Sequence, residues 1–253
     1  MTGYWLVMAM LVVAIACVVV AVAAELDGAA KRRKPAGHRP VWVALGASDA
    51  AGTGTPDPAR DNWVARLATR LPPDVTVRNL GVSGSTLAQA RAEQLPAALA
   101  ASPDVATLWL AVNDLAAGVP LPVYERELAA VLEALVNAGA RVVVGNVPDL
   151  SRLPGLADTP DEARMLRTTA EHWNAAIGRL AAAYGAEVVD LFGPGEELGA
   201  HPDYFGEDGF HPSPAGHERL AELFRPAVER ALEQARVGTG EEAAGSRAEL
   251  ETA

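Results

Sequence analysis

The chain has one cysteine in 253 residues, so no intrachain disulfide can form and the thiol count leaves the redox compartment open. Basic charge is scarce over most of its length. Residues 1–40 hold five Lys or Arg and two acids. Subtracting these from totals of 21 and 32 leaves 16 basic and 30 acidic residues from Val41 onward, a balance of −14. A domain so acidic repels polyphosphate backbones, which excludes nucleic acid as a partner. No internal repeat is present. Gly52-Thr53-Gly54-Thr55 lacks the lysine and spacing of a phosphate-binding loop. His201 and Asp203, even taken with Asp208 and His211, match no zinc-ligand spacing. Neither a metal nor an organic cofactor is therefore expected.

Hydrophobic residues make up 50% of the chain, a fraction raised by one segment. Tyr4 to Ala24 carries no charge, and about 20 apolar residues are what a helix needs to cross a bilayer core roughly 30 Å thick. Residues 1–24 thus read as a transmembrane helix and 25–40 as a basic linker. A cleavable signal peptide would need a basic n-region, which is missing, although Ala21-Val22-Ala23 suits a cleavage site. Ala14-Ile15-Ala16-Cys17 weakly resembles a lipobox, but the apolar Val18-Val19-Val20 after it argues against lipidation. Lys31-Arg32-Arg33-Lys34 would be held in the cytoplasm by the positive-inside rule. It would equally serve against anionic headgroups or as a solvated linker. The side of the membrane carrying the domain stays open.

Val41-Trp42-Val43-Ala44-Leu45 is a short apolar run of the kind found in strands buried on both faces. Similar runs lie at 75–80, 105–112, 141–146 and 187–191. Between them, helical spacing covers 62–71, about 86–100, 122–138 and 159–184, with a last helix over 213–236. Pro72-Pro73, Gly139 and Gly185 stand at the helix ends. Strands alternating with helices predict an α/β fold, a three-layer α/β/α sandwich around about five parallel strands over residues 41–236. The acidic, weakly apolar residues 237–253 predict a disordered tail. Trp109 reads as core, and His172 and His217 as helix residues with buried or surface roles.

In open parallel sheets, sites form beyond the carboxyl ends of the strands. Ser48, Gly84 and Asn113 fall there, each after a different strand. A serine attacks an ester at neutral pH only if a base takes its proton. Imidazole serves when a carboxylate fixes its tautomer and stabilises the imidazolium. Asp208-Gly209-Phe210-His211 supplies such a pair, since a three-residue separation lets both side chains share one side of a turn. Taken singly, a serine after a strand is usually a turn or cap, and so are Gly84 and Asn113. Their order at successive strand ends carries the argument.

Four blocks together resemble the SGNH (GDSL-type) hydrolases. These are Gly46-Ala47-Ser48-Asp49, Asn79-Leu80-Gly81-Val82-Ser83-Gly84-Ser85-Thr86, Ala111-Val112-Asn113-Asp114 and Asp208-Gly209-Phe210-His211-Pro212-Ser213. The resemblance implies Ser48 as nucleophile, His211 as base and Asp208 as the orienting carboxylate. It implies an oxyanion hole from the amides of Ser48 and Gly84 and the side chain of Asn113. Two positions depart from the family pattern, which has Asp where Ala47 stands and Gly where Ala111 stands. Gly46-Ala47-Ser48-Asp49-Ala50 nearly matches the nucleophile elbow of α/β-hydrolases. That fold would place its serine after several strands and its acid far ahead of the histidine. The expected protein is a membrane-tethered esterase acting on acyl or acetyl esters, glycan esters included. A lysophospholipid is the rival substrate, and a binding module with the same fold but no turnover is the reading from another class.

Overall fold

Side chains alternate across the strands, and this alternation sorts the core into two faces. The computed structural model describes residues 38–251, with side chains described to 237. Five strands, β1 (Val41–Gly46), β2 (Thr76–Asn79), β3 (Val105–Trp109), β4 (Arg141–Gly145) and β5 (Glu187–Val189), form one parallel sheet in the order β2-β1-β3-β4-β5. Val43, Leu45, Ala106, Leu108, Val142 and Val144 face one way, into a core shared with three helices. Those helices are Leu87–Ala100, Leu121–Asn137 and Pro160–Ala183. Trp42, Ala44, Val105, Trp109 and Val143 face the other way, against Trp63–Ala68 and the last helix. The expected three-layer α/β/α sandwich with a five-stranded parallel sheet is what forms.

In chain order, helices are numbered α1 (Ser48–Ala51), α2 (Pro58–Asp61), α3 (Trp63–Ala68), α4 (Leu87–Ala100), α5 (Val112–Ala116), α6 (Leu121–Asn137), α7 (Pro160–Ala183), α8 (Gly195–Ala200) and α9 (Pro214–Glu251). Capping boxes start α4 (Thr86 with Gln89) and α7 (Thr159 with Glu162), where a hydroxyl and a side-chain carbonyl satisfy orphan amides reciprocally. Trp63 of α3 stacks on Phe224 of α9 with ring centroids 4.2 Å apart. Both rings are fully buried. Each buried ring contributes roughly 1.5–3 kcal/mol by leaving water, so this pair fastens the end of the chain to the segment just after Ser48.

Several boundaries differ from the sequence reading, among them the end of β5 at Val189 rather than 191 and of α3 at Ala68 rather than 71. The third strand stops at Trp109 rather than 112, because Val112 opens α5. A four-residue helix, α1, replaces the loop expected straight after β1. The last helix runs to Glu251 rather than stopping near Arg236. Glu and Ala, strong helix formers, supply seven of residues 237–251 beside three Gly, whereas the lack of large apolar residues is what suggests a disordered tail. The expected membrane span and most of the basic linker lie outside the described residues. Among the described residues no helix is long and apolar enough to cross a membrane.

Gly46 permits α1 to fold back on β1, for a Cβ there would sit 2.7 Å from Ala50 Cβ. Gly46→Ala is expected to cost about 1–3 kcal/mol by overpacking. Urea unfolding reads this, and an unchanged midpoint would show that α1 yields freely.

Candidate active site

Ser48 opens α1 immediately beyond the carboxyl end of β1 and is 6% exposed. Its carbonyl accepts from the amides of Gly52 and Thr53, both at 2.9 Å, which closes the turn. Asn79, at the end of β2, donates from Nδ2 to the Ala50 carbonyl at 2.6 Å and accepts at Oδ1 from the Gly81 amide at 3.1 Å. A Cβ on Gly81 would lie 2.5 Å from Ala50 Cβ. The second block therefore braces the nucleophile turn directly.

Gly84 has φ +79°, in the left-handed region where a side chain is strained. Asn113, in the first turn of α5, donates from Nδ2 to the Ser85 carbonyl at 2.9 Å. An amide nitrogen has two protons, so this bond orients Asn113 and leaves one for a ligand. The carboxylate of Asp114, buried and raised in pKa chiefly by that burial, accepts from the Leu87 amide at 2.9 Å and ties α5 to α4. Tyr124 of α6 donates to the Leu110 carbonyl at 2.7 Å and holds the turn leading into Asn113. The two departures from the family pattern have physical explanations. Ala111 has φ −169°, extended backbone that any residue adopts, and Ala47 is buried among apolar neighbours.

Asp208 and His211 meet as expected, with Asp208 Oδ2 2.6 Å from His211 Nδ1. Asp208 Oδ1 also accepts from the amides of Phe210 and His211, each at 2.9 Å. The bond from His211, supported by those amides, holds the carboxyl down at about 2. At neutral pH an ionised Asp208 can only accept, so Nδ1 carries the proton of this bond and Nε2 is the nitrogen turned away from Asp208. Phe210 meets the imidazole edge-on at 5.1 Å and limits its rotation.

The first and last blocks come together across the loop after α1. A Cβ on Gly54 would lie 2.7 Å from the Pro212 carbonyl oxygen and 3.1 Å from His211 Cβ. His217 Nε2 faces the Thr53 carbonyl at 3.4 Å. Ser48 and Asn113 line one cavity of about 100 Å³ with Leu110, Leu150, Phe205 and Phe210. Gly84 is joined to it through its neighbour Ser85. Among the described residues no hydrogen bond links Ser48 to His211, an arrangement common where catalytic bonds tighten only around substrate. His201 and Asp203 pair with each other at 3.3 Å and do not join the Asp208–His211 pair. No metal-ligating cluster occurs among the described residues. Trp109 is core and donates to the Asn146 carbonyl at 3.1 Å.

A parallel sheet of this order, with a serine beyond β1 and a carboxylate-paired imidazole on the last loop, defines an ester hydrolase of the SGNH class. The model of the GDSL-like lipase/acylhydrolase family matches residues 44–219. The chain belongs to that family. Among solved structures it is similar to TesA, at 27% identity and TM-score 0.63 over 76% of this chain and 99% of that one. It shares its fold with the psychrotrophic esterase EstA from Pseudoalteromonas sp., at 18% identity, 76% and 98% coverage and TM-score 0.61. The same holds for Axe2, an acetylxylan esterase from Geobacillus stearothermophilus, at 19%, 75% and 94%, and 0.62. No curated protein matches the chain.

Sequence reasoning passed over Gln94 and gave Asp49 and His217 no role. Gln94 was detectable as a polar residue on the stripe Leu87, Ala90, Gln94, Leu95, Ala98, all of it buried. Asp49 is partly covered at the cavity wall, and burial raises its carboxyl to about 6 against its own amide and the charge of His211. His217 is fully buried, which lowers its imidazole to about 4, and its Nδ1 has no hydrogen-bond partner.

These two groups oppose each other on acidification. His217 titrates lower in the folded state than the ordinary 6.5, so its stability contribution is intact above 6.5 and lost as pH falls toward 4. The loss is about 3 kcal/mol at one pKa unit per 1.36 kcal/mol. Asp49 titrates higher than its ordinary 3.8, so the folded state gains stability as pH falls through 6, by less than full burial would give. Asp49→Asn should therefore lose stability between pH 6.5 and 4.5, and His217→Gln should gain it, in urea unfolding followed across that range. Parallel pH slopes in the two variants would contradict the assignment.

Proposed function

We propose that the protein hydrolyses carboxylic esters bearing short to medium apolar acyl chains, with Ser48 as nucleophile. His211 Nε2 takes the hydroxyl proton as Ser48 Oγ bonds to the acyl carbon. The resulting oxyanion is met by the amides of Ser48 and Gly84 and by the remaining Asn113 proton. The carbon–oxygen bond to the alcohol then breaks, and the imidazolium gives its proton to the departing alkoxide. Water repeats the cycle on the acyl-serine, losing a proton to His211, and Ser48 leaves with that proton as the carboxylic acid forms. Asp208 keeps Nδ1 protonated throughout.

The apolar cavity beside Ser48 carries the substrate reading. Its wall includes Leu110, Leu150, Leu153, Phe205 and Phe210, and three of its polar groups, Glu197, Tyr204 and Arg219, are bonded to one another. Each methylene buried there is worth about 0.8 kcal/mol, or roughly fourfold in binding. If Tyr4–Ala24 spans a membrane, as its composition suggests, the same site is held near amphiphilic esters, lysophospholipids among them.

Assays of the full-length protein with p-nitrophenyl esters test both parts. Butyrate is expected to exceed acetate in kcat/KM by about tenfold, two methylenes being buried. Ser48→Ala should lower kcat by ~10³-fold or more, and Asn113→Ala by about 10²–10³-fold with little change in KM. Equal or better turnover of acetate would favour acetylated substrates, and turnover by Ser48→Ala would remove the nucleophile.

A further inference from the structure

Strand β2 ends at Asn79, paired with Ala44, so beyond that point β1 has no strand neighbour on its β2 side. Gly46 is buried and still needs partners for its amide and carbonyl there. The Val82 amide supplies one, donating to the Gly46 carbonyl at 3.2 Å. The other comes from α4. Gln94 Oε1 accepts from the Gly46 amide at 3.0 Å, and Gln94 Nε2 donates to the Gly46 carbonyl at 3.0 Å. The side-chain amide thus stands where a strand's peptide group would stand.

Gln94 Nε2 also reaches Ser85 Oγ at 3.4 Å. Ser85 follows Gly84, and its carbonyl orients Asn113. Gly46 precedes Ser48 by two residues. A single side chain, 3% exposed, therefore connects the strand that leads into Ser48 to the turn that carries Gly84 and orients Asn113. Polar groups so buried keep a fixed geometry, because breaking one bond leaves its partner unsatisfied.

We infer that Gln94 is a positioning residue, whose amide sets the distance between Ser48 and the Gly84–Asn113 donors. The inference rests on the assignment of Ser48, Gly84 and Asn113 proposed above. Gln94 does not touch the reacting atoms, and its effect is on how well donors placed on two loops converge on one oxygen. Misplacement of such donors is felt in the transition state rather than in substrate binding.

The test uses the full-length protein and p-nitrophenyl butyrate. Gln94→Leu is expected to lower kcat by about 10–100-fold with KM within roughly threefold, and to slow phosphonylation of Ser48 by a fluorophosphonate alike. In an Asn113→Ala background the same change should cost much less, since the donor it positions is already gone. Gln94→Glu keeps the size and the acceptor for the Gly46 amide but can donate to the Gly46 carbonyl only when protonated. Its kcat relative to wild type should fall about tenfold between about pH 5.5 and 8 as a buried carboxyl ionises. Retention of kcat within threefold by folded Gln94→Leu, or an equal loss with and without Asn113, overturns the role. If Gln94→Leu does not fold, a flat Gln94→Glu to wild-type ratio across pH overturns it. Full turnover by Ser48→Ala would instead overturn the underlying nucleophile assignment, an outcome separable from the first.

Discussion

Backbone groups at the carboxyl end of β1 must find partners where the sheet can no longer supply them. A parallel strand buried on both faces has no water to fall back on, and an unpaired buried amide costs on the order of 1–3 kcal/mol. Here β2 is too short to pair with the last residues of β1. Asn79, Val82 and Gln94 make up the deficit, bonding Ala50 and Gly46 from side chains and a turn. Each belongs to the stretch that also carries Gly84 or leads away from it. The need to satisfy one strand end thus brings the Ser48 turn and its neighbour into a fixed relation.

The other half of the site depends on contacts far apart in the chain. Asp208 and His211 sit on the loop before α9, and α9 is fastened to α3 by the Trp63–Phe224 stack. Glu218 adds ion pairs to Arg66, at 3.1 Å, and to Arg70. These pairs are partly solvated and contribute little individually. The buried rings supply the larger share, so placement of His211 relative to Ser48 is mainly a matter of apolar packing.

The five strands, the helices α4, α6 and α7 and the pairing of Asp208 with His211 were legible because each is a local pattern. Runs of Val and Ala, capping residues, and an Asp three residues before a His depend on no distant partner. The misread features depend on tertiary context. Leu110, Ala111 and Val112 continue the apolar run of β3 yet leave the strand, because the neighbouring strand ends and Tyr124 captures the Leu110 carbonyl. The four residues of α1 are too few for any helical period to register. Gln94 lies in a helix whose spacing is plain, but its partner, a backbone group 48 residues away, is not written in any local pattern.

The charges at this site are held by partners rather than by burial alone. Asp208 has 52% of its side chain exposed, so its low pKa comes from hydrogen bonds to His211 and the loop amides rather than from burial. An exposed carboxylate of this kind orients the imidazole without the large desolvation cost a buried ion carries. The cavity beside Ser48 has Leu and Phe side chains over much of its wall, and the charged Glu197 and Arg219 at that wall are paired with each other. Asp49, also at the wall, has no such cationic partner there among the described residues, and its partly covered carboxyl is raised by burial to about 6. Near neutral pH it is largely ionised and sets a negative charge beside Ser48. That charge opposes an anion at the Ser48 end of the cavity, whereas the charge of Arg219 on the same wall is already taken up by Glu197.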